Sequence, residues 1–278
     1  MKKFKKLSLI MGLSSLALLT TACAQLDKIG EDISNHASQP AETTTTQKLS
    51  ETDTIRRIIG KMNAMKSWEV ASETKIKQEQ AGAGGFEGTS TILTQYTANP
   101  YIFKSEETIS DGTIQSAYVK DGVQYRYIKS QGNENWTKGT IPGDKLINFK
   151  RNHIATYYRA FGAILEKNKD FTFKDNGSTY EISFKPANAD EYKEFLFGTN
   201  PSVKDFKIES YSAKYIIDKV TLIPTSIERE EVISYTTDKD VKIKSSNTII
   251  DRFKNVNQVK DITIPDGHKN AKDEIKFD

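Results

Sequence analysis

Between residues 50 and 65 the apolar side chains fall at helical spacing: Ile55, Ile58, Ile59, Met62 and Met65 recur at i, i+3, i+4, i+7 and i+10. Ser50 followed by Asp53 supplies a start signal, so a helix with one core-facing stripe is expected here. The period then drops to two. Trp68, Val70, Ser72, Thr74 and Ile76 alternate with Glu69, Ala71, Glu73, Lys75 and Lys77, which reads as a strand with one solvated face.

From residue 81 turn signals punctuate the chain at roughly ten-residue spacing, the mark of sequential antiparallel hairpins. They are AGAGG (81–85), Asn99-Pro100, Asp111-Gly112, Asp121-Gly122 and Gly132-Asn133. AGAGG lacks the GK[ST] ending of a phosphate loop and no helical pattern comes after it, so it is read as a turn. Helical periodicity returns over 146–168, with Ile147, Ile154, Tyr158, Phe161 and Leu165 on one face. Strands are expected around 171–173 and 180–184, joined by Asn176-Gly177, and then a short helix from Asp190 to Phe197 that stops at Gly198 with Pro201 beyond. Segments 207–217, 219–235 and 240–252 are strand-like, a strand over Val259–Ile264 closes the domain, and the tail from Asp266 is polar. The sum is an α+β fold: a large antiparallel sheet of roughly nine to eleven strands, wide enough to curl, with helices packed on the concave side. Its expected shape is a half-open barrel holding a cavity.

Ahead of this domain the pattern is of another kind. Lys2, Lys3, Lys5 and Lys6 precede an apolar run from Leu7 to Leu19 that is too short to span a bilayer as a helix. Thr20, Thr21 and Ala22 lead to Cys23, the single cysteine of the chain. This reads as a lipoprotein leader over residues 1–22, with cleavage between Ala22 and Cys23 and lipid on the Cys23 thiol. Ordinary secretion with cleavage after Ala24 is the rival reading, and a small apolar cysteine without a role the plain one. Residues 23–50 are rich in Thr, Ser, Gln and Ala and read as a lipidated cysteine with a solvated tether, leaving 51–278 as the folded domain. The expected location is the extracytoplasmic face of a cell membrane.

Removing the leader changes the charge balance. Four of the 40 basic residues and none of the 37 acidic ones lie in residues 1–22, so the remainder carries a net charge of −1. No Lys/Arg-rich block of five or more occurs after the leader, and nucleic acid is not an expected partner.

Candidate chemistry is sparse. His36, His153 and His268 are far apart and outside metal-ligand spacing of one another or of Cys23, so no metal and no cofactor is expected. His153 reads as a surface or partly buried helix residue. Glu106-Glu107 and Glu230-Glu231 lie in strand-like runs, where neighbours point to opposite faces and cannot form a carboxylate dyad. No catalytic residue is nominated, and a non-enzyme is expected. The 13 Phe, 12 Tyr and 2 Trp offer apolar surface instead. Tyr118, Tyr125, Tyr127 and Trp136, in the central hairpins, are the candidate ligand-lining residues, with core packing as the alternative.

The order of elements, with IIGKMNAMKSWEV, AYVKDGVQYRYI, NENWTKG, YIIDKVTLIPTSIEREEVIS and RFKNVNQVKDITIP, resembles the LolA/LppX-like superfamily of envelope lipoprotein carriers, and within it lipoproteins of Gram-positive bacteria. The likeness covers roughly residues 51–265, and its motifs, such as I-D-x-x-T-x-x-P at Ile217 to Pro224, are not catalytic. It implies a curved antiparallel sheet covered by helices and a cavity for acyl chains, and so a membrane-anchored binder of lipid or another apolar ligand. The alternatives are an interaction lipoprotein without a small-molecule ligand and an envelope enzyme. Oligomeric state is open.

Overall fold

The structure, a computed structural model, describes residues 49–81, 84–197, 203–237 and 240–277. The leader, Cys23, all but the last two residues of the tether, and the Gly198 and Pro201 stop signals lie outside the described residues.

Helix α1 spans Glu51–Asn63, and its start is a side-chain cap: Ser50 Oγ accepts a hydrogen bond from the Asp53 backbone N–H at 3.1 Å. Glu51 and Asp53 place negative charge on the first turn, where the helix dipole favours it. The stripe Ile55, Ile58, Ile59 and Met62 is buried, at 0–1% exposure.

Two meanders come next. The first runs β1 (Ser67–Gln80), β2 (Gly84–Ala98), β3 (Tyr101–Ile109), β4 (Ile114–Lys120), β5 (Val123–Ser130) and β6 (Asn133–Thr140). Helices α2 (Gly143–Ala155) and α3 (Arg159–Lys167) then carry the chain to the second, made of β7 (Phe171–Asp175), β8 (Thr179–Phe184), β9 (Lys204–Asp218), β10 (Pro224–Thr236) and β11 (Lys242–Lys254). Between β8 and β9 lie a 3-10 turn over Ala189–Tyr192 and a single helical turn, α4 (Lys193–Leu196).

The last strand of the second meander returns to the first strand of the first. β1 and β11 pair antiparallel from Glu69↔Lys254 to Gln80↔Ile243, and this seam joins both halves into one 12-stranded sheet. Every neighbour is antiparallel except β12 (Lys272–Asp273), which lies parallel to β6 at one edge. The expected α+β architecture is the one observed, with helices on one face of one wide, curved sheet.

Directly opposed residues of an antiparallel pair share a face, so the register assigns each side chain to the face under the helices (the inner face) or to the outer one. Trp68, Tyr96, Phe103, Val119 and Gln124 form one inner row across five strands. One core cluster joins Trp68, Val70, Phe103 and Val119 of the first half to Ile182, Phe184, Tyr215 and Ile217 of the second, through Ile58, Phe161 and Ile164 of the helices. Burying each such side chain contributes about 1.5–3 kcal/mol, which makes this interface the main apolar stabilisation of the molecule.

Three expectations are corrected. The helix read over 146–168 is two helices, because Tyr157 and Tyr158 donate their backbone N–H groups to Ile154 and Ala155, at three-residue rather than four-residue spacing. The break rotates the stripe, so Ile147 is 55% exposed while Phe161 is fully buried. Strand β10 begins at Pro224, since Asp218 folds 219–223 into a turn by accepting from the backbone N–H groups of Val220 and Thr221. Val259–Ile264 is not a strand: it belongs to a strap that runs from β11 to β12 across the outer face, with the Val259 N–H donating to Ser67 Oγ and the strap's own Ile262 and Ile264 buried.

Candidate functional site

The inner face changes character along its strands. At the end covered by α1, α2 and α3 it is aromatic. Trp68 stacks on Tyr96 at 5.4 Å and meets the edge of Tyr157 at 5.6 Å, and the break between α2 and α3 is what aims Tyr157 there. His153 is also buried here, at 2% exposure, stacked on Phe103 at 3.8 Å with Nδ1 hydrogen-bonded to Tyr101 Oη at 3.0 Å. Burial pushes its pKa down to about 3, so the ring is neutral at physiological pH. The expectation of a surface or partly buried histidine is thereby corrected.

Next along the strands comes a polar band. Asp251 on β11, 1% exposed, accepts from Ser72 Oγ at 2.6 Å and from Arg229 Nη2 at 2.7 Å. One row further, Glu231 accepts from Asn247 Nδ2 at 2.9 Å. Register explains the grouping: Ser72↔Asp251↔Ile227, Thr74↔Ile249↔Arg229 and Ile76↔Asn247↔Glu231 are three successive inner rows. Burial works against the Arg229 charge, but Asp251 and, further off, Glu231 outweigh it, so its pKa stands above its ordinary value. Burial also raises the Glu231 carboxyl, a shift that the Asn247 hydrogen bond and Arg229 reduce. Two buried groups in this band have no hydrogen-bond partner among the described residues, Arg229 Nε and Ser90 Oγ.

Isoleucines interleave with the polar groups on the inner face: Ile92 lies on the row of Ser72 and Asp251, Ile109 and Ile249 on that of Arg229 and Ser90, Ile76 on that of Asn247 and Glu231, and Ile243 two rows further along. None of the five belongs to the helix-packed core cluster. Ile109 and Ile243 are buried while Ile76, Ile92 and Ile249 are half-buried. Phe86 lies flat over Gly88, where any Cβ would collide with its ring. The candidate site is therefore this uncovered end, outside the helix-packed core: isoleucines set row by row among a buried arginine and a hydroxyl that hold unused hydrogen-bonding capacity.

The four aromatic residues singled out in the central hairpins come together elsewhere. Tyr118 stacks on Trp136 at 5.7 Å, Tyr127 lies 4.7 Å from Trp136, and Tyr125 meets His268 edge-on at 5.2 Å. Their rows, Lys104↔Tyr118↔Tyr125 and Tyr127↔Trp136, alternate with inner rows such as Phe103↔Val119. They therefore lie on the outer face, and Gly267 of the strap sits on Trp136. The expectation that they line the concave face is corrected. A two-residue period names which side chains share a face and not which face the helices cover.

The acidic pairs separate as their strand setting requires: Glu107 and Glu231 are buried on the inner face while Glu230 is exposed on the outer one. Among the described residues no group of three or more His, Cys, Asp or Glu is placed to hold a metal ion. No helix among them is long and apolar enough to cross a membrane. Sequence reasoning missed Arg229 and Asp251 altogether. The one available signal was a charge at a position whose i±2 neighbours, Ile227 on one strand and Ile249 on the other, are apolar.

A model of the family described as "Family of unknown function (DUF6612)" matches residues 50–273. No curated protein matches the chain in sequence. Among solved structures, the lipoprotein LppX of Mycobacterium tuberculosis is similar at 14% identity and a TM-score of 0.39, covering 76% of this chain and 97% of that one. A LolA superfamily protein of Nitrosomonas europaea is similar at 6% identity and a TM-score of 0.24, covering 75% and 94%.

Proposed function

The chain belongs to the DUF6612 family, and we propose that it is a lipid-anchored envelope protein that holds an amphiphile on the uncovered end of its inner face. The carrying observation is the half-buried isoleucine surface outside the helix-packed core, interleaved with Arg229 Nε and Ser90 Oγ, which have no partner among the described residues. A long hydrocarbon chain lying over Ile76, Ile92 and Ile249 would complete their burial, at about 0.8 kcal/mol per methylene withdrawn from water. The polar end of the same ligand would meet the band, where a buried donor without a partner is costly and a ligand oxygen removes that cost. The role is binding or carriage, performed without covalent chemistry, and Cys23 supplies the anchor.

The test is displacement of a fluorescent acyl probe by fatty acids of increasing length, on the chain carrying Cys23→Ser and purified without detergent. Affinity should rise with chain length until the surface is covered, then level off. Ile76→Asp, which puts a charge on that surface, should weaken binding at least tenfold with the fold retained by circular dichroism. A response that is flat across chain lengths, or a folded protein that binds no probe, refutes the reading and favours an interaction protein.

A further inference from the structure

A second concavity lies on the other side of the same sheet. It is a groove of about 600 Å³ crossing β2, β1, β11, β10 and β9. The register places it outside the barrel. Its side chains come from the rows Thr89↔Lys75↔Thr248↔Glu230 and Glu87↔Lys77↔Ser246↔Val232, which alternate with the inner row Gly88↔Ile76↔Asn247↔Glu231. The inner row contributes its backbone as the floor, and at Gly88 there is no side chain at all.

The groove differs from its flanks in one respect. On either side the outer-face charges are neutralised within the protein: Arg252 with Glu73 at 2.7 Å and Lys214 with Glu228 at 2.8 Å on one flank, Lys244 with Glu209 at 2.7 Å on the other. Inside it, Lys75, Glu87 and Glu230 are exposed and have no ion-pair or hydrogen-bond partner among the described residues. The hydroxyls of Ser210, Ser246 and Thr248 are likewise unused.

These features select the occupant. Val232 is the single apolar side chain that the outer rows point into the groove, since Ile76 faces the other side, so an acyl chain finds one side chain to bury against. Lys77 pairs with Glu79 at 3.6 Å, which leaves Lys75 against Glu87 and Glu230, so a polyanion gains no net attraction. β1 is hydrogen-bonded on both sides, to β2 and β11, and β11 likewise to β1 and β10. An extended peptide therefore cannot be captured by strand addition, and only side chains are available to bind. What remains is a ligand that exchanges many hydrogen bonds with hydroxyls and isolated charges, laid over five strands spaced about 4.8 Å apart. We propose that this outer groove binds a glycan strand of low net charge, independently of any ligand on the inner face.

The experiment is calorimetric titration of the full chain, purified in detergent micelles, with chitotetraose, a neutral hydroxyl-rich oligosaccharide. Saturable binding is expected. It should weaken at least fivefold in the double variant Ser246→Val/Thr248→Val, whose β-branched replacements suit a strand, with the thermal midpoint unchanged. Thr89→Ala, on the same row and exposed, should weaken it as well and serves as the readout if the double variant fails to fold. The proposal is overturned by absence of saturable heat, by variants that bind like the wild type, by tighter binding of dextran sulfate than of chitotetraose, or by competition between chitotetraose and a fatty acid.

Discussion

His153 shows how a single residue takes its character from contacts remote in sequence. Phe149 of its own helix meets the ring edge-on at 5.0 Å, but Tyr101 and Phe103 of β3 complete the enclosure, and a neutral ring buried with Nε2 unpartnered among the described residues results. The consequence is a pH dependence of defined sign. The folded pKa of about 3 lies below the ordinary value of 6.5, so between these the unfolded chain binds a proton that the folded one does not. Stability is therefore full above pH 6.5 and falls as the pH is lowered through the window, by up to about 1.4 kcal/mol per pH unit. His153→Phe should flatten that acid limb in urea melts collected from pH 6.5 to 4, whatever it does to stability at neutral pH. An unchanged slope would mean that the imidazole is not held neutral. Glu231 runs the opposite way: its raised carboxyl favours the folded state at low pH and costs stability as the pH rises through its folded value.

At the scale of elements, the strap after β11 is the least regular part of the fold and the part most tightly fitted. It crosses the outer face to the far edge, where Ala271 is buried and β12 pairs with Thr137 and Lys138 of β6. Two glycines make the passage possible. At Gly139 a Cβ would collide with the Ile275 carbonyl, and at Gly267 a Cβ would stand 2.5 Å from Trp136 Nε1. Gly267→Val should push the strap off the aromatic cluster, cost about 1–3 kcal/mol through overpacking, and shift Trp136 emission to longer wavelength. The only other tryptophan, Trp68, is 1% exposed in the core and serves as an internal reference. Emission and unfolding midpoint both unchanged would show that the strap does not bear on Trp136.

For the whole molecule, the β1–β11 seam matters most, since it turns two meanders into one sheet broad enough to present a covered and an uncovered end. The membrane attachment proposed for it rests on Cys23. A diacylated cysteine suffices for stable anchoring, where a single acyl chain is marginal. Cys23→Ser should accordingly move the protein from the membrane pellet to the soluble fraction and abolish labelling by a palmitate analogue. Retention in the pellet would show that something other than the lipid holds it.

The sequence by itself determined the elements whose signals are local. The α1 stripe and its Ser50 cap, the β1 alternation, the hairpin turns and the separation of Glu106 from Glu107 all depend on neighbours within a few residues, and each is seen in the structure. The class of fold came from their order. What tertiary structure alone decided is which of the two faces of each strand is covered. Alternation is symmetric about the sheet plane, so Tyr118 and Trp136 read as concave-face residues until the helices settled on the other side. The Arg229–Asp251 pair depends likewise on strands 22 residues apart meeting in one register. The break between α2 and α3 is tertiary too, because Tyr157 leaves the helical path to reach Trp68, a contact 89 positions away in the chain that no local propensity encodes.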